Sequence, residues 1–239
     1  MTLSRRIPLV LGRPHPCSYL EGPLATEAFV SPDYEIDAAL FGDLIRLGFR
    51  RSGDLVYSPR CSDCAACLPA RIHVPSFSAN RSQLRTLRKN QALRVQILKP
   101  QFRPEHFALF IQYQKWRHPG GDMALMSAED YVRFLGNPPA DVTRFIEFSD
   151  AEGRPLLVIV ADCLPDGFSA VYSFFAPEYA QNGLGTFAIL WLIQFALKEA
   201  LPHVYLGFWI EDSPKMAYKG RFSGLQVLRD QGWCARNGD

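Results

Sequence analysis

Three cysteines, Cys61, Cys64 and Cys67, follow one another at intervals of three residues on a turn-rich loop, and Cys17 lies in a second Pro-rich loop. Thiols so spaced can close around one soft ion or cluster, with a distant fourth ligand completing four-coordination. Zinc, an iron–sulfur cluster and unligated thiols all suit the spacing. A metal held by Cys17, Cys61, Cys64 and Cys67 is structural or regulatory, because four thiolates leave no open position for a substrate. Cys163 and Cys234 stand apart and read as a buried strand residue and a surface thiol. A second grouping is cationic. Arg81, Arg85, Arg88, Lys89, Arg94 and Lys99 share a 19-residue stretch without an acid, which attracts a polyanion, although a solvated helix face has the same composition. A third is the glycine turn Gly183-Leu184-Gly185-Thr186 ahead of an apolar run. Backbone N–H groups at the helix start there can face a phosphate or an oxyanion, but a plain strand-to-helix connection has the same sequence.

The chain around these groups has 239 residues, 48% of them hydrophobic and 21% charged, which excludes intrinsic disorder. Its longest apolar runs, Leu156 to Ala161 and Phe187 to Ile193, are far shorter than a membrane span requires. Arg5 to Val10 lacks the apolar core of a secretory leader, so a cytoplasmic location is expected. The net charge of +2 hides an asymmetry: residues 1–100 carry 14 Lys/Arg against 8 Asp/Glu, the remainder 12 against 16.

Pattern reading predicts a helix over Ile36–Leu47, capped by Asp33 and closed by Gly48, and a strand at Asp54–Tyr57. A basic helix is expected over Asn80–Asn90, with Leu84 and Leu87 on its apolar side. Beyond residue 92 the texture changes. A strand at Arg94–Leu98 and helices at Pro104–Gln114 and Ala128–Leu135 precede three strands, Thr143–Phe148, Leu156–Cys163 and Phe168–Phe175, separated by turn material. The glycine turn, a helix Phe187–Ala200 and a strand His203–Ile210 follow. The expected organisation is a Cys-containing N-terminal domain (1–78), a basic linker helix (79–91) and a mixed α/β C-terminal domain (92–239).

Strand, glycine turn and helix N-terminus in this order resemble the carrier grip of GNAT-type acyltransferases. Their Arg/Gln-x-x-Gly-x-Gly pattern is imperfect, since Ala180 holds the first place and Gln181 comes one later. Two longer segments carry a fuller resemblance. Gly48-Phe-Arg-Arg-Ser-Gly-Asp-Leu-Val-Tyr57 and Tyr205-Leu-Gly-Phe-Trp-Ile-Glu-Asp-Ser-Pro-Lys-Met-Ala-Tyr-Lys-Gly-Arg221 resemble the hallmark stretches of the arginyl-tRNA–protein transferase family. Pro16-Cys-Ser-Tyr-Leu20 and Asn80-Arg-Ser-Gln83 match as well, especially the short bacterial branch of aspartate/glutamate leucyltransferases.

The resemblance implies a Cys-containing domain followed by a GNAT-like domain. It implies transfer of leucine from leucyl-tRNA onto proteins beginning with Asp or Glu, which marks them for degradation by the N-end rule. That reaction is aminolysis of an ester, so it needs no cofactor for the chemistry and depends on positioning. Tyr218, Lys215 and Tyr205 are then the expected donors to the oxyanion and the leaving ribose hydroxyl, although both tyrosines equally suit packing. Arg50 and Arg51 are the expected partners of the acidic side chain, with one of the pair structural because adjacent strand residues diverge. Arg81, Arg85, Arg88 and Lys89, with Gly183, Gly185 and Thr186, are the expected tRNA contacts. Phe174, Trp191 and Trp209 are offered as a lining for leucine. Glu211 and Asp212 read as a surface turn, and Ser213 stands where relatives often have Cys. Three alternatives stay open: an arginyl-tRNA protein transferase, whose pocket would need a buried carboxylate; an acetyl-CoA-dependent GNAT acetyltransferase; and a metal-stabilised RNA-binding module without enzymatic activity.

Overall fold

A computed structural model describes residues 6–138 and 140–236. Arg5 and the two ends of the expected domain limits lie outside them. The first helix is capped by Asp37, not Asp33: the Asp37 carboxylate accepts the Leu40 N–H at 2.7 Å, satisfying an otherwise orphaned donor. Before it come β1 (Leu9–Leu11), β2 (His15–Pro16), β3 (Leu24–Ala25) and β4 (Glu27–Val30). Helix α1 (Ala38–Arg46) buries Phe41, Leu44 and Ile45, and Gly48 closes it with φ +89°. A side chain at Gly48 would also collide with Pro69. The hairpin β5 (Arg50–Ser52) and β6 (Leu55–Pro59) follows, and β1-β4-β6-β5 form a four-stranded sheet.

Strand β7 (Leu68–His73) leaves that sheet and enters a larger one, so the limit expected at residue 78 does not fall between sheets. Helix α2 (Arg81–Lys89) has a reciprocal cap between Asn80 and Gln83 and stands where the sequence pattern put it, but of the two leucines expected on its apolar side Leu87 packs on the core while Leu84 is exposed. It packs against the helix after the glycine turn instead of spanning a gap. Then come β8 (Arg94–Leu98), α3 (Pro104–Arg117) and α4 (Ala128–Tyr131), which runs on into a π turn over Val132–Gly136. Strands β9 (Thr143–Ser149), β10 (Pro155–Leu164) and β11 (Gly167–Phe175) form the expected antiparallel meander. Helix α5 (Leu184–Lys198) carries the chain to β12 (His203–Trp209), parallel to β11, and the hairpin β13 (Leu225–Arg229) and β14 (Gly232–Ala235) ends the fold.

The large sheet has the order β14-β13-β7-β12-β11-β10-β9-β8. One face packs on α5 through residues such as Leu157, Ile159, Leu190 and Leu192. The other packs on α3 and α4 through Val158, Phe174, Phe110 and Tyr131, and further along on α1 through Leu164, Tyr205, Phe41 and Leu44. The C-terminal part is thus mixed α/β and GNAT-like in order: meander, glycine turn, helix, parallel strand. No helix among the described residues is long and apolar enough to cross a membrane.

Candidate active site

Strands β11 and β12 pair over only three residues, Gly167–Ser169 against His203–Tyr205. Just beyond, each carries an extra residue. The β10–β11 register skips Val171, and the β12–β7 register skips Leu206. A bulge bends and over-twists its strand, so two bulges facing each other drive the strands apart. The opening between them becomes a cleft of about 530 Å³, within the usual range for ligand sites.

Arg50 fills the throat of this opening. It leaves β5 on one side of the sheet, and its guanidinium donates to the carbonyls of Ala170 (3.2 Å) and Val171 (3.4 Å) at the bulge. Gly207 makes the passage possible: its φ is +74°, and a Cβ there would stand 2.7 Å from the Arg50 Cζ. Two N–H groups are so used, and Arg50, a five-donor fork, is among the residues that line the cleft.

Around Arg50 the cleft collects Arg117, His118, Lys215 and Lys219, and among the described residues no Asp or Glu lines it. Lys219 is buried, donates to the Phe208 carbonyl at 2.5 Å and approaches the Met216 sulfur at 3.2 Å. Burial, reinforced by Arg50, pushes its pKa down to about 7. His118 is also held below its ordinary value, by burial and then by Arg117 and Lys215. Burial raises the Tyr218 phenol, which keeps it a hydrogen-bond donor at neutral pH. The floor is apolar: Ile159, Ala188, Ile189, Leu192 and Leu206. At one end lie Gly183, Gly185 and Thr186. Gly183, at φ +70°, starts α5 without a capping side chain, so the first N–H groups of α5 have no side-chain acceptor there.

Of the residues expected from sequence, the structure brings together Arg50, Lys215, Tyr218, Gly183, Gly185 and Thr186. It sends Arg51 and Tyr205 elsewhere. Arg51 points away from Arg50 by the alternation of β5 and is buried in a bidentate pair with Asp162 (2.7 and 2.9 Å), further bonded to Thr143 Oγ1 and the Gly53 carbonyl. It fastens β5 to β9 and β10. Tyr205 is buried on the α1 face, where its hydroxyl donates to Asp166 at 2.8 Å and its ring meets Trp233. The lining offered for leucine is likewise corrected. Phe174 is enclosed in the α3 core, Trp191 stacks on Phe195 in the α5 core, and Trp209 is buried beside Arg236. Cys163 is exposed, and Cys234 packs against the α5 core.

Arg81, Arg85 and Arg88 are exposed on α2, whose end is joined to the glycine turn. Lys89 Nζ donates to the Gln181 carbonyl and the Asn90 side chain to that of Asn182, both at 2.8–2.9 Å. Cys17, Cys61, Cys64 and Cys67 line one cavity of about 710 Å³ between the N-terminal sheet and Phe208. Burial and the three neighbouring thiols push Cys67 up to about 12. The four thiols suit a soft metal in kind, but among the described residues no three His, Cys, Asp or Glu side chains stand close enough together to form a ligating array.

Lys219, Arg117 and His118 were not singled out from sequence. Lys219 lies inside the matched segment ending at Arg221, yet its depressed pKa depends on burial in the fold and on Arg50, which lies outside that segment.

Comparison with known proteins adds to the geometry. A family model described as arginine-tRNA-protein transferase, N terminus, matches residues 15–85, and one described as its C terminus matches residues 105–229. The chain is 48% identical over 223 residues to an aspartate/glutamate leucyltransferase of Nitrosococcus oceani, covering 93% of each chain. It is 43% identical over 237 residues to that of Pseudomonas fluorescens, covering 99% of this chain and 100% of the relative. Among solved structures, L-PGS from Bacillus licheniformis aligns with a TM-score of 0.42 at 13% identity, over 61% of this chain and 47% of that one.

Proposed function

We infer an activity from one premise: the chain belongs to the arginine-tRNA-protein transferase family. It is an aminoacyltransferase that takes leucine from leucyl-tRNA and joins it to the N-terminus of proteins beginning with Asp or Glu, marking them for degradation. One observation favours leucine over arginine. The cleft has an apolar floor and a cationic rim without a carboxylate, and a buried guanidinium would need an acidic partner there. The same rim suits an acidic N-terminal side chain and the phosphates of a tRNA end.

The substrate ester brings its own activation, so the enzyme has to align, deprotonate and stabilise. The α-amine attacks the leucyl carbonyl, a C–N bond forms, and the C–O bond to ribose breaks. The ammonium first sheds one proton to solvent; as the C–N bond forms, Lys219, neutral in part near pH 7, takes a second proton from the nitrogen and passes it to the leaving ribose oxygen. Tyr218, Lys215 and the N–H groups that open α5 donate to the oxyanion. Arg50 receives the Asp or Glu carboxylate in a bidentate contact, and α2 carries phosphates of the acceptor stem through Arg81, Arg85, Arg88 and Lys89. Leucine lies on Ile159, Ala188, Ile189, Leu192 and Leu206.

Cys17, Cys61, Cys64 and Cys67 would hold zinc or an iron–sulfur cluster. When bound, that group supplies loop order beside Tyr19, Tyr57 and Arg50, not chemistry on the ester. The protein acts in the cytoplasm, where aminoacyl-tRNA is made, and neither substrate calls for a membrane. The test is to incubate purified protein with radiolabelled leucyl- or arginyl-tRNA and peptides beginning with Asp, Glu, Lys or Ala. Label on Asp and Glu peptides from leucyl-tRNA alone is expected; absence of that label rejects the activity. Metal analysis and an absorption spectrum of anaerobically purified protein separate zinc, cluster and empty thiols.

A further inference from the structure

We propose that Trp116, braced at the mouth of the cleft by Tyr113 and Phe175, is the platform on which the terminal nucleobase of the aminoacyl-tRNA stacks. The proposal rests on the leucyl-transfer reading above and assigns a contact that reading leaves open.

Three of the four tryptophans are accounted for by the fold. Trp209 is buried, Trp191 stacks on Phe195 in the core, and Trp233 donates to the Arg46 carbonyl beneath the Arg71 guanidinium. Trp116 is different. It sits in the last turn of α3, lines the cleft and leaves 45% of its surface exposed. Tyr113 (6.1 Å between centroids) and Phe175 (5.9 Å) support it, and these two rings pack on each other at 4.9 Å. The indole is therefore fixed in direction and open to solvent, which is what a stacking surface requires and a packing residue does not.

Its surroundings select the partner. Arg117 follows it in sequence, and both Arg117 and Lys215 act on His118, so the cations gather at the same mouth. A ligand for this place needs a flat π face with negative charge close by, and a nucleotide has both. Connectivity points the same way. The leucyl ester sits on the terminal ribose, so with the carbonyl among Lys219, Tyr218 and the start of α5, the base attached to that ribose must lie close by. Trp116 is the exposed indole there. An apolar residue of the acceptor peptide would also cover an indole, but it would draw nothing from the cations.

The probe is 3′-leucylamido-3′-deoxyadenosine, a stable mimic of the charged tRNA end, titrated calorimetrically into wild-type, Trp116→Ala and Trp116→Phe protein, with leucinamide as the base-free control. Trp116→Ala should weaken the nucleoside about tenfold, in the range of one lost stacked base. Trp116→Phe should retain most of the affinity, and leucinamide should bind all three alike. In transfer assays Trp116→Ala should raise KM for leucyl-tRNA and leave the peptide KM unchanged. The proposal is overturned if Trp116→Ala binds the nucleoside as wild type does while wild type transfers leucine, or if the peptide KM rises instead. A wild-type protein that neither binds the probe nor transfers leucine would reject the activity itself, and the stacking contact with it.

Discussion

Arg50 and Arg51 leave neighbouring positions of one strand and arrive in opposite electrostatic settings. Arg51 ends on the side where β9 and β10 supply Asp162 and Thr143, and each strong donor direction finds a fixed acceptor. Arg50 ends in the split between β11 and β12, bonded to two carbonyls but to no carboxylate, beside Lys219 and across from Lys215 and Arg117. A buried cation with an internal counter-ion holds the fold together. A cluster of cations without one waits for an anion that the protein does not contain. The difference separates scaffold from site more sharply than residue type, since both are arginines within the same matched segment.

The contrast is broken most forcefully on the structural side. Arg51→Ala leaves Asp162 buried and unpaired and should cost about 3–5 kcal/mol in urea unfolding, whereas Arg51→Met with Asp162→Leu should recover most of it. A single variant as stable as wild type would show that the pair does not fasten the two sheets. Lys219→Met addresses the cleft. It should lower kcat about 100-fold, as loss of a positioned base does, without a comparable loss of stability. The wild-type rate should rise with pH through about 7 as Lys219 deprotonates, and the variant should lack that limb. Stability carries the complementary signature. Between pH about 7 and about 10 the unfolded lysine keeps a proton that the folded one has shed, so stability rises with pH in that window, and Lys219→Met should flatten the slope.

Arg50→Ala should raise the KM for Asp and Glu peptides about tenfold or more, as expected for a lost charge-assisted pair, with tRNA affinity retained. Gly207→Ala should produce the same pattern, because its methyl group would displace the guanidinium. If either variant weakens both substrates equally, Arg50 is not the acidic-residue contact. The smallest effect is expected on α2. Arg85→Ala with Arg88→Ala should weaken tRNA modestly and reduce the slope of log affinity against log salt by about 2. An unchanged slope would remove α2 from the tRNA path.

Much of the fold was legible from local pattern. The span of α2, the three meander strands and the glycine turn ahead of α5 stand close to where residue type and periodicity put them, because the signals are contained in the segments themselves. The cap of α1 was misplaced by four residues and its start by two. Asp33 and Asp37 are equally good capping residues, and only the packing of Phe41 and Leu44 selects between them. Strand β7 could not be assigned to the larger sheet from Leu68–His73, since its partners in β12 and β13 lie 130 or more residues away in the chain.

The site divides in the same way. Residue types and their order were enough to bring Arg50, Lys215, Tyr218 and the glycine turn forward and to match the family, because those features are written in contiguous segments. They could not decide which arginine turns inward, that Tyr205 belongs to the α1 core, that Lys219 is buried beside Arg50 or that Trp116 stands open at the mouth. Each of those depends on how strands distant in sequence pair, bulge and pack. Burial and electrostatic potential are sums over neighbours distant in sequence, and only the folded chain carries out that sum.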